Sequence, residues 1–183
     1  MRNPFLWLML FIFTAPVYAQ QMDFKTLDLI PIQEGGRVKP LDTFARESVR
    51  FITGHESFEG KGSMDVLLDW LTHPAPWNDK NFILIENLEL KSLLSVDKDQ
   101  KRVAPSFLLK NDGFIAYAKM NYAKQQKKIT LNAMEKESLS VFGRLEKFED
   151  IESGRLLTLI PVAADPNKKW VSLEKRWVIV PAL

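Results

Sequence analysis

Apolar residues recur along most of this chain at helical spacing, and between those stretches they bunch into short runs bounded by glycine, proline and charge. Stepping about 100° per residue from Leu41 puts Phe44, Ala45, Val49, Phe51 and Ile52 in one broad arc, with Thr43, Arg46, Glu47 and Arg50 opposite. This pattern predicts an amphipathic helix with a basic outer stripe. Asp42 or Thr43 can cap its first amides, and Gly54 stands where a left-handed residue closes a helix. Just before it, residues 29–32 read as a short apolar strand. Glu34-Gly35-Gly36 reads as a turn, because paired glycines supply positive φ angles at no steric cost. Arg37-Val38-Lys39 is extended, since the residue before Pro40 is pushed out of the helical region.

The same patterning predicts the rest of the chain. Residues 20–26 form a flexible entry, and 56–62 a glycine-flanked loop. Ser63 can cap a second helix carrying Met64, Val66, Leu67, Leu68, Trp70 and Leu71; its clearly polar positions, Asp65 and Asp69, are four apart on one face, so the helix is mostly buried. His73-Pro74-Ala75-Pro76 ends it. Residues 82–85 read as a buried strand, 87–94 as a short helix and 97–102 as a charged turn. Residues 106–109 fit a helix or a strand equally. Residues 113–127 have helical composition and are basic, with Lys119, Lys124, Lys127 and Lys128. Thr130 can cap a longer helix to about Ser153, ended by Gly154. Within it Met134, Leu139, Val141, Phe142, Leu145 and Phe148 share one side, and Glu135 and Glu137 favour the positive end of its dipole. These two helices, joined at Lys128-Ile129, predict an αα-hairpin. Residues 155–162 read as a strand, Asp165-Pro166-Asn167 as a turn, Trp170-Val171 as extended and 177–180 as a last apolar run. The fold class is α+β: a helix-rich single domain with an αα-hairpin and a small sheet whose strand order the pattern leaves open. No internal repeat or low-complexity segment interrupts it.

Residues 1–19 have the layout of a secretory signal peptide: Arg2 as the positive region, an apolar run over 5–13, and Val17-Tyr18-Ala19 before a cleavage point. The apolar run is short for a membrane span, which needs about 20 residues. Removing nineteen of the 183 residues leaves 164, one exported domain over 20–183 with enough chain for a stable core. There is no cysteine, so neither a disulfide framework nor thioether attachment of haem is available. The formal charge of +2 is too balanced to make nucleic acid or an anionic membrane the main partner.

Candidate chemistry is sparse. His55 and His73 each stand alone near a predicted helix end, where a histidine ordinarily meets terminal carbonyls or water, although either could serve as an axial haem ligand. Asp65 and Asp69 make a solvated acidic face unless further oxygen ligands join them. HExxH, GxSxG and phosphate-loop spacings are absent. The tryptophans at 70, 77, 170 and 177 could stack a porphyrin but lie in apolar runs. The group Arg37, Lys39, Arg46 and Arg50 has two readings. One is a docking surface for an anion, a haem propionate or an acidic partner. The other is structural, with Arg37 paired to Asp42 or Glu47 and fixing the turn to the helix.

The run GGRVKPLDTFARE, with Gly36, Arg37, Lys39, Pro40, Leu41, Asp42, Thr43 and Arg46 on the pattern, resembles the opening of the extracytoplasmic (periplasmic) domain of the large fused bacterial cytochrome c biogenesis proteins. In those, a soluble domain accompanies a multi-span part that handles haem and joins it to apocytochrome c. Looser similarity extends through residues 58–70, Trp77 with 82–85, and Ile160-Pro161 followed by Trp170. The resemblance implies a non-enzymatic periplasmic accessory module of cytochrome c maturation. Its partner would be a membrane haem-handling protein, apocytochrome c or transiently held haem, and it would meet the inner membrane through that partner. It also implies that Gly36, Pro40, Leu41, Asp42 and Thr43 are structural and that haem-ligating histidines belong to a membrane part this sequence does not contain. The other class open to the sequence is an exported enzyme acting on a cell-envelope polymer; it requires a deep cleft with paired carboxylates.

Overall fold

The computed structural model describes residues 25–162 and 169–174. The readings of 1–19, of Asp165-Pro166-Asn167, of Trp177 and of the run 177–180 lie outside them.

A short helix α1 (Lys25–Asp28) leads into β1 (Pro31–Glu34), which turns back antiparallel as β2 (Arg37–Pro40). Glu34 faces Arg37 across the turn, and Gly35 and Gly36 take φ of +57° and +79°. Two successive positive φ angles match the right-handed strand twist of a two-residue hairpin, which is why the glycine pair is there. The strand begins two residues later than the apolar run suggests, and Leu29 is left exposed. Helix α2 (Leu41–Thr53) starts directly from the strand. Neither Asp42 nor Thr43 caps it: Pro40 holds the N-cap position with extended backbone, and the Leu41 amide donates to the Ile30 carbonyl at 2.8 Å. Asp42 falls inside the first turn, where its charge suits the helix dipole. Gly54 ends the helix with φ of +88°, as its position predicts.

A small ribbon of β3 (Ser57–Phe58) and β4 (Lys61–Gly62) precedes α3 (Ser63–Thr72). Ser63 is the first helical residue rather than the cap, and its hydroxyl donates to the Glu56 carbonyl. β5 (Ile83–Leu84) pairs antiparallel with β6 (Arg102–Val103), and α4 (Leu88–Leu93) between them is capped by Asn87. The ambiguous stretch is a helix, α5 (Pro105–Leu109). Pro105 decides it, since a proline at the first helical position has its φ already set and lacks only an amide that would be unpaired there. The αα-hairpin is α6 (Asp112–Gln126) and α7 (Ala133–Glu152). Its cap is Asn132, not Thr130: Asn132 and Glu135 each accept the other's backbone amide in a capping box. β7 (Thr158–Ile160) pairs with β8 (Val171–Ser172). The small sheet is thus dispersed among the described residues as four two-stranded antiparallel pieces around the helices.

The core lies where α2, α3 and α7 meet. Trp70, Trp77, Phe82, Phe148 and Phe58 form one aromatic cluster with ring centroids 5.0–6.3 Å apart, mostly edge-on or tilted. Trp70 and Trp77 are buried there, which makes them packing residues rather than a porphyrin platform. Two helical arcs differ from their periodicity. Phe51 is 43% exposed, and Leu139 and Phe142 are only half-buried, whereas Ser138 and Arg144 are buried. Asn121 on α6 donates to Ser138 at 3.0 Å, so a polar pair occupies part of the hairpin seam. No helix among the described residues is long and apolar enough to cross a membrane.

Candidate functional site

The hairpin and helix formed by the GGRVKPLDTFARE run are joined by ion pairs. Lys39 Nζ lies 2.6 Å from Glu34 and 2.5 Å from Glu47, and Lys147 on α7 reaches the other Glu34 oxygen at 2.6 Å. Glu34, at the end of β1, therefore binds the hairpin to α7, and Lys39, which also pairs with Glu34 across the hairpin, binds it to α2. All three of Glu34, Lys39 and Lys147 have side chains about four-fifths covered. Gln33 adds a second tie: its carbonyl accepts from the Thr158 hydroxyl, and its side-chain oxygen accepts from the Trp170 amide at 2.9 Å. The hairpin is thereby fixed to the β7–β8 ribbon.

Burial pushes the Glu34 carboxyl up, but the hydrogen bonds and charges of Lys147 and Lys39 outweigh it, and its pKa lies below the ordinary glutamate value. A carboxylate of this kind contributes stability above its unfolded-state pKa and loses it as the pH falls through the folded value. Lys39 behaves in the opposite sense. Burial lowers its pKa, Glu34 and Glu47 raise it further than burial lowers it, and its contribution is present below the unfolded lysine pKa and lost as the pH rises through the raised one. Glu34→Gln should therefore cost about 2 kcal/mol at neutral pH, with the difference from the parent shrinking below the ordinary glutamate pKa of about 4.3. Urea titrations across that range check it, and a deficit independent of pH would contradict the clamp.

The other predicted basic residues are placed differently. Arg46 pairs with Asp42 at 2.9 Å along α2, and Arg50 sits 3.4 Å from Glu56. Both are well exposed. Asp42 and Glu47 are thus taken by Arg46 and Lys39, and the expected pairing of Arg37 with either does not form. Arg37 is exposed at the hairpin turn, beside an exposed Val38, and makes no ion pair among the described residues. Of the four basic candidates, Lys39 is built into the clamp, Arg46 and Arg50 line the outside of α2, and Arg37 projects at the turn. Gly36 shapes that turn with open space around it. Pro40 and the buried Leu41 set the strand-to-helix corner. Thr43 is half-buried on the same first turn.

His73 follows α3, with its Nδ1 2.8 Å from the Thr72 hydroxyl, and the His55 amide donates to Thr53 Oγ1 at 3.2 Å. Each histidine is at a helix end, as its position suggests. Asp69 is held by Lys61 rather than facing a cation with Asp65, and no group of three or more possible metal ligands occurs among the described residues.

Sequence reasoning missed Arg144. Its guanidinium is nearly covered and donates from Nε to the Phe51 carbonyl at 3.1 Å, and from Nη1 to the Leu84 carbonyl at 2.9 Å and to Glu137 at 3.2 Å. The same Glu137 oxygen accepts from the Glu86 amide at 3.1 Å. One arginine thus ties the end of α2, strand β5 and helix α7 together. Its only trace in the sequence is a charge interrupting an apolar arc. Outside it runs an open groove of about 770 Å³ between α6 and α7, with Phe51, Tyr122, Leu139 and Phe142 as apolar wall and Glu146 as its one carboxylate.

The molecule is therefore a helix-rich α+β domain whose motif-bearing hairpin is clamped to two helices and presents an arginine at its tip. The chain is 25% identical over 148 residues to Protein NrfI of Wolinella succinogenes, an alignment covering 81% of this chain and 16% of NrfI. That likeness is distant, points to a related family, and spans about a sixth of the relative's length. No family model matches the chain.

Proposed function

We propose that this chain is a non-enzymatic accessory module of cytochrome c maturation. In this reading residues 1–19 export it, residues 20–183 work in the periplasm, and the domain binds a membrane haem-handling protein, with apocytochrome c or transient haem as further ligands. The observation that carries the reading is the GGRVKPLDTFARE unit. Its buried members make a rigid corner, and its exposed arginine is left over from every ion pair that builds the corner. The distant likeness to NrfI supports a general role in cytochrome c biogenesis. Arg37 would be the docking group for an acidic partner surface or a carboxylate, with the exposed Arg46 and Arg50 on α2 as further basic candidates.

Arg37→Ala should leave the melting temperature unchanged, because Arg37 is exposed with no ion pair among the described residues, and such surface substitutions alter stability by about 0.5 kcal/mol at most. It should weaken docking by about tenfold to a hundredfold, the range for losing one charge-assisted contact, and lower cytochrome c maturation with it. Thermal melts beside a haem-stained assay of mature cytochrome in a complemented deletion strain test this. A fall in melting temperature with normal maturation would assign Arg37 to folding instead. An exported enzyme acting on an envelope polymer is the alternative, and the groove, with a single carboxylate on its lining, supplies nothing in its favour.

A further inference from the structure

We infer that the tip of the αα-hairpin is a docking site for an anionic phospholipid bilayer. The near-balanced charge of the chain is unevenly distributed. Between residues 116 and 132 there are Lys119, Lys124, Lys127 and Lys128 and no acidic residue, and Lys136 follows in the opening of α7. Lys124 is paired with Glu135 at 2.6 Å; Lys119, Lys127, Lys128 and Lys136 make no ion pair among the described residues. Glu149, Asp150 and Glu152 gather at the other end of α7, where burial holds Glu149 and Glu152 above their ordinary pKa.

Three large apolar side chains stand among these lysines in solvent: Met120 at 47%, Tyr122 at 56% and Ile129 at 51% exposure. Cations interleaved with exposed apolar groups suit an anionic interface, where lysines meet headgroups and apolar tips enter the acyl boundary. Two features resist a purely structural account. Lys136 lies near the positive end of the α7 dipole, where a cation is unfavourable. Lys128 occupies the left-handed position that ends α6, with φ of +57°, while the Lys128 and Ile129 amides donate to the Gln125 and Lys124 carbonyls at 2.9 and 3.0 Å. Glycine is the ordinary residue there; here the chain places a lysine at the apex and thrusts Ile129 outward.

The tip lies far from the Arg37 turn. Lys147, which holds Glu34, is fourteen residues along α7 from Ala133, about 21 Å at 1.5 Å per helical residue. A domain resting on its hairpin tip would keep the Arg37 turn free, so lipid binding holds whatever partner that turn takes.

The chain has no cysteine, so Gln126→Cys and, at the opposite end of α7, Ser153→Cys each allow one environment-sensitive fluorophore on the full chain. Vesicles of phosphatidylcholine alone, or mixed with phosphatidylglycerol, are the probes. The label at 126 should shift to the blue on phosphatidylglycerol vesicles only, weaken with salt, and show no counterpart at 153. Adding Lys127→Gln and Lys128→Gln should reduce apparent binding about thirtyfold, the product of two lysine–headgroup attractions, with the melting temperature unchanged. Equal shifts at both labels, equal response to neutral vesicles, or no loss in the double variant would overturn the inference, since each removes either the tip or the anionic headgroup from the binding.

Discussion

Arg144→Ala is expected to destabilise the domain by about 3–5 kcal/mol, the cost of removing one partner from a buried charge network. Truncation leaves the Phe51 and Leu84 carbonyls without their guanidinium donor and strands Glu137 beside its remaining bond to the Glu86 amide. A domain of this length is stable by about 5–15 kcal/mol in all, so the variant should populate unfolded chain measurably at growth temperature. Arg144→Lys should rescue little, because three acceptors on α2, β5 and α7 need a planar fork rather than a point charge. Urea denaturation of parent and both variants decides it. A loss under about 1 kcal/mol, the value of a surface ion pair, would mean the three elements are held by packing alone.

Trp70→Ala should cost a similar 3–5 kcal/mol, for a different reason. Trp70 has no solvent exposure, and its ring meets Trp77, Phe82 and Phe148 at centroid distances of 5.8, 5.5 and 5.7 Å. Removing it opens a cavity at the meeting point of α3 and α7. Trp70→Phe should be milder, because the retained ring leaves a smaller cavity. The indole Nε1 is buried and has no hydrogen-bond acceptor among the described residues. Losing that unpaired N–H offsets part of the lost contact area. If the phenylalanine variant were as damaged as the alanine one, the indole nitrogen would be bonded after all.

These two residues also mark what sequence reading could and could not reach. Trp70 was legible as core, because helical spacing placed it among Val66, Leu67 and Leu71. The glycine-pair hairpin, the Gly54 helix end and the αα-hairpin were legible for the same local reason: each depends on residues within one or two turns of each other. Arg144 was not, because its acceptors lie 60 and 93 residues away, and only folding brings two carbonyls and a carboxylate around one side chain. The Glu34 clamp spans 113 residues to Lys147 and was hidden likewise. The caps failed on a finer point. Asp42, Thr43, Ser63 and Thr130 all have cap chemistry, but the Leu41 amide is committed to Ile30, the Ser63 hydroxyl to the Glu56 carbonyl, and Asn132 with Glu135 makes a capping box two residues beyond Thr130. The structural reading of Arg37 pairs it with Asp42 or Glu47, which lie close to it in sequence. Arg46, one helical turn away, and Lys39, folded back from β2, reach those carboxylates instead, and that is what leaves Arg37 exposed.

In the proposed role this domain binds a membrane haem-handling protein through the arginine-bearing turn. The most direct test of that role is capture of the tagged chain from solubilised membranes of its own cells, parallel with Arg37→Glu, followed by mass spectrometry. A haem-handling cytochrome c biogenesis protein should be recovered with the parent and depleted with the variant. Recovery of no such protein from membranes shown to contain one would contradict that role.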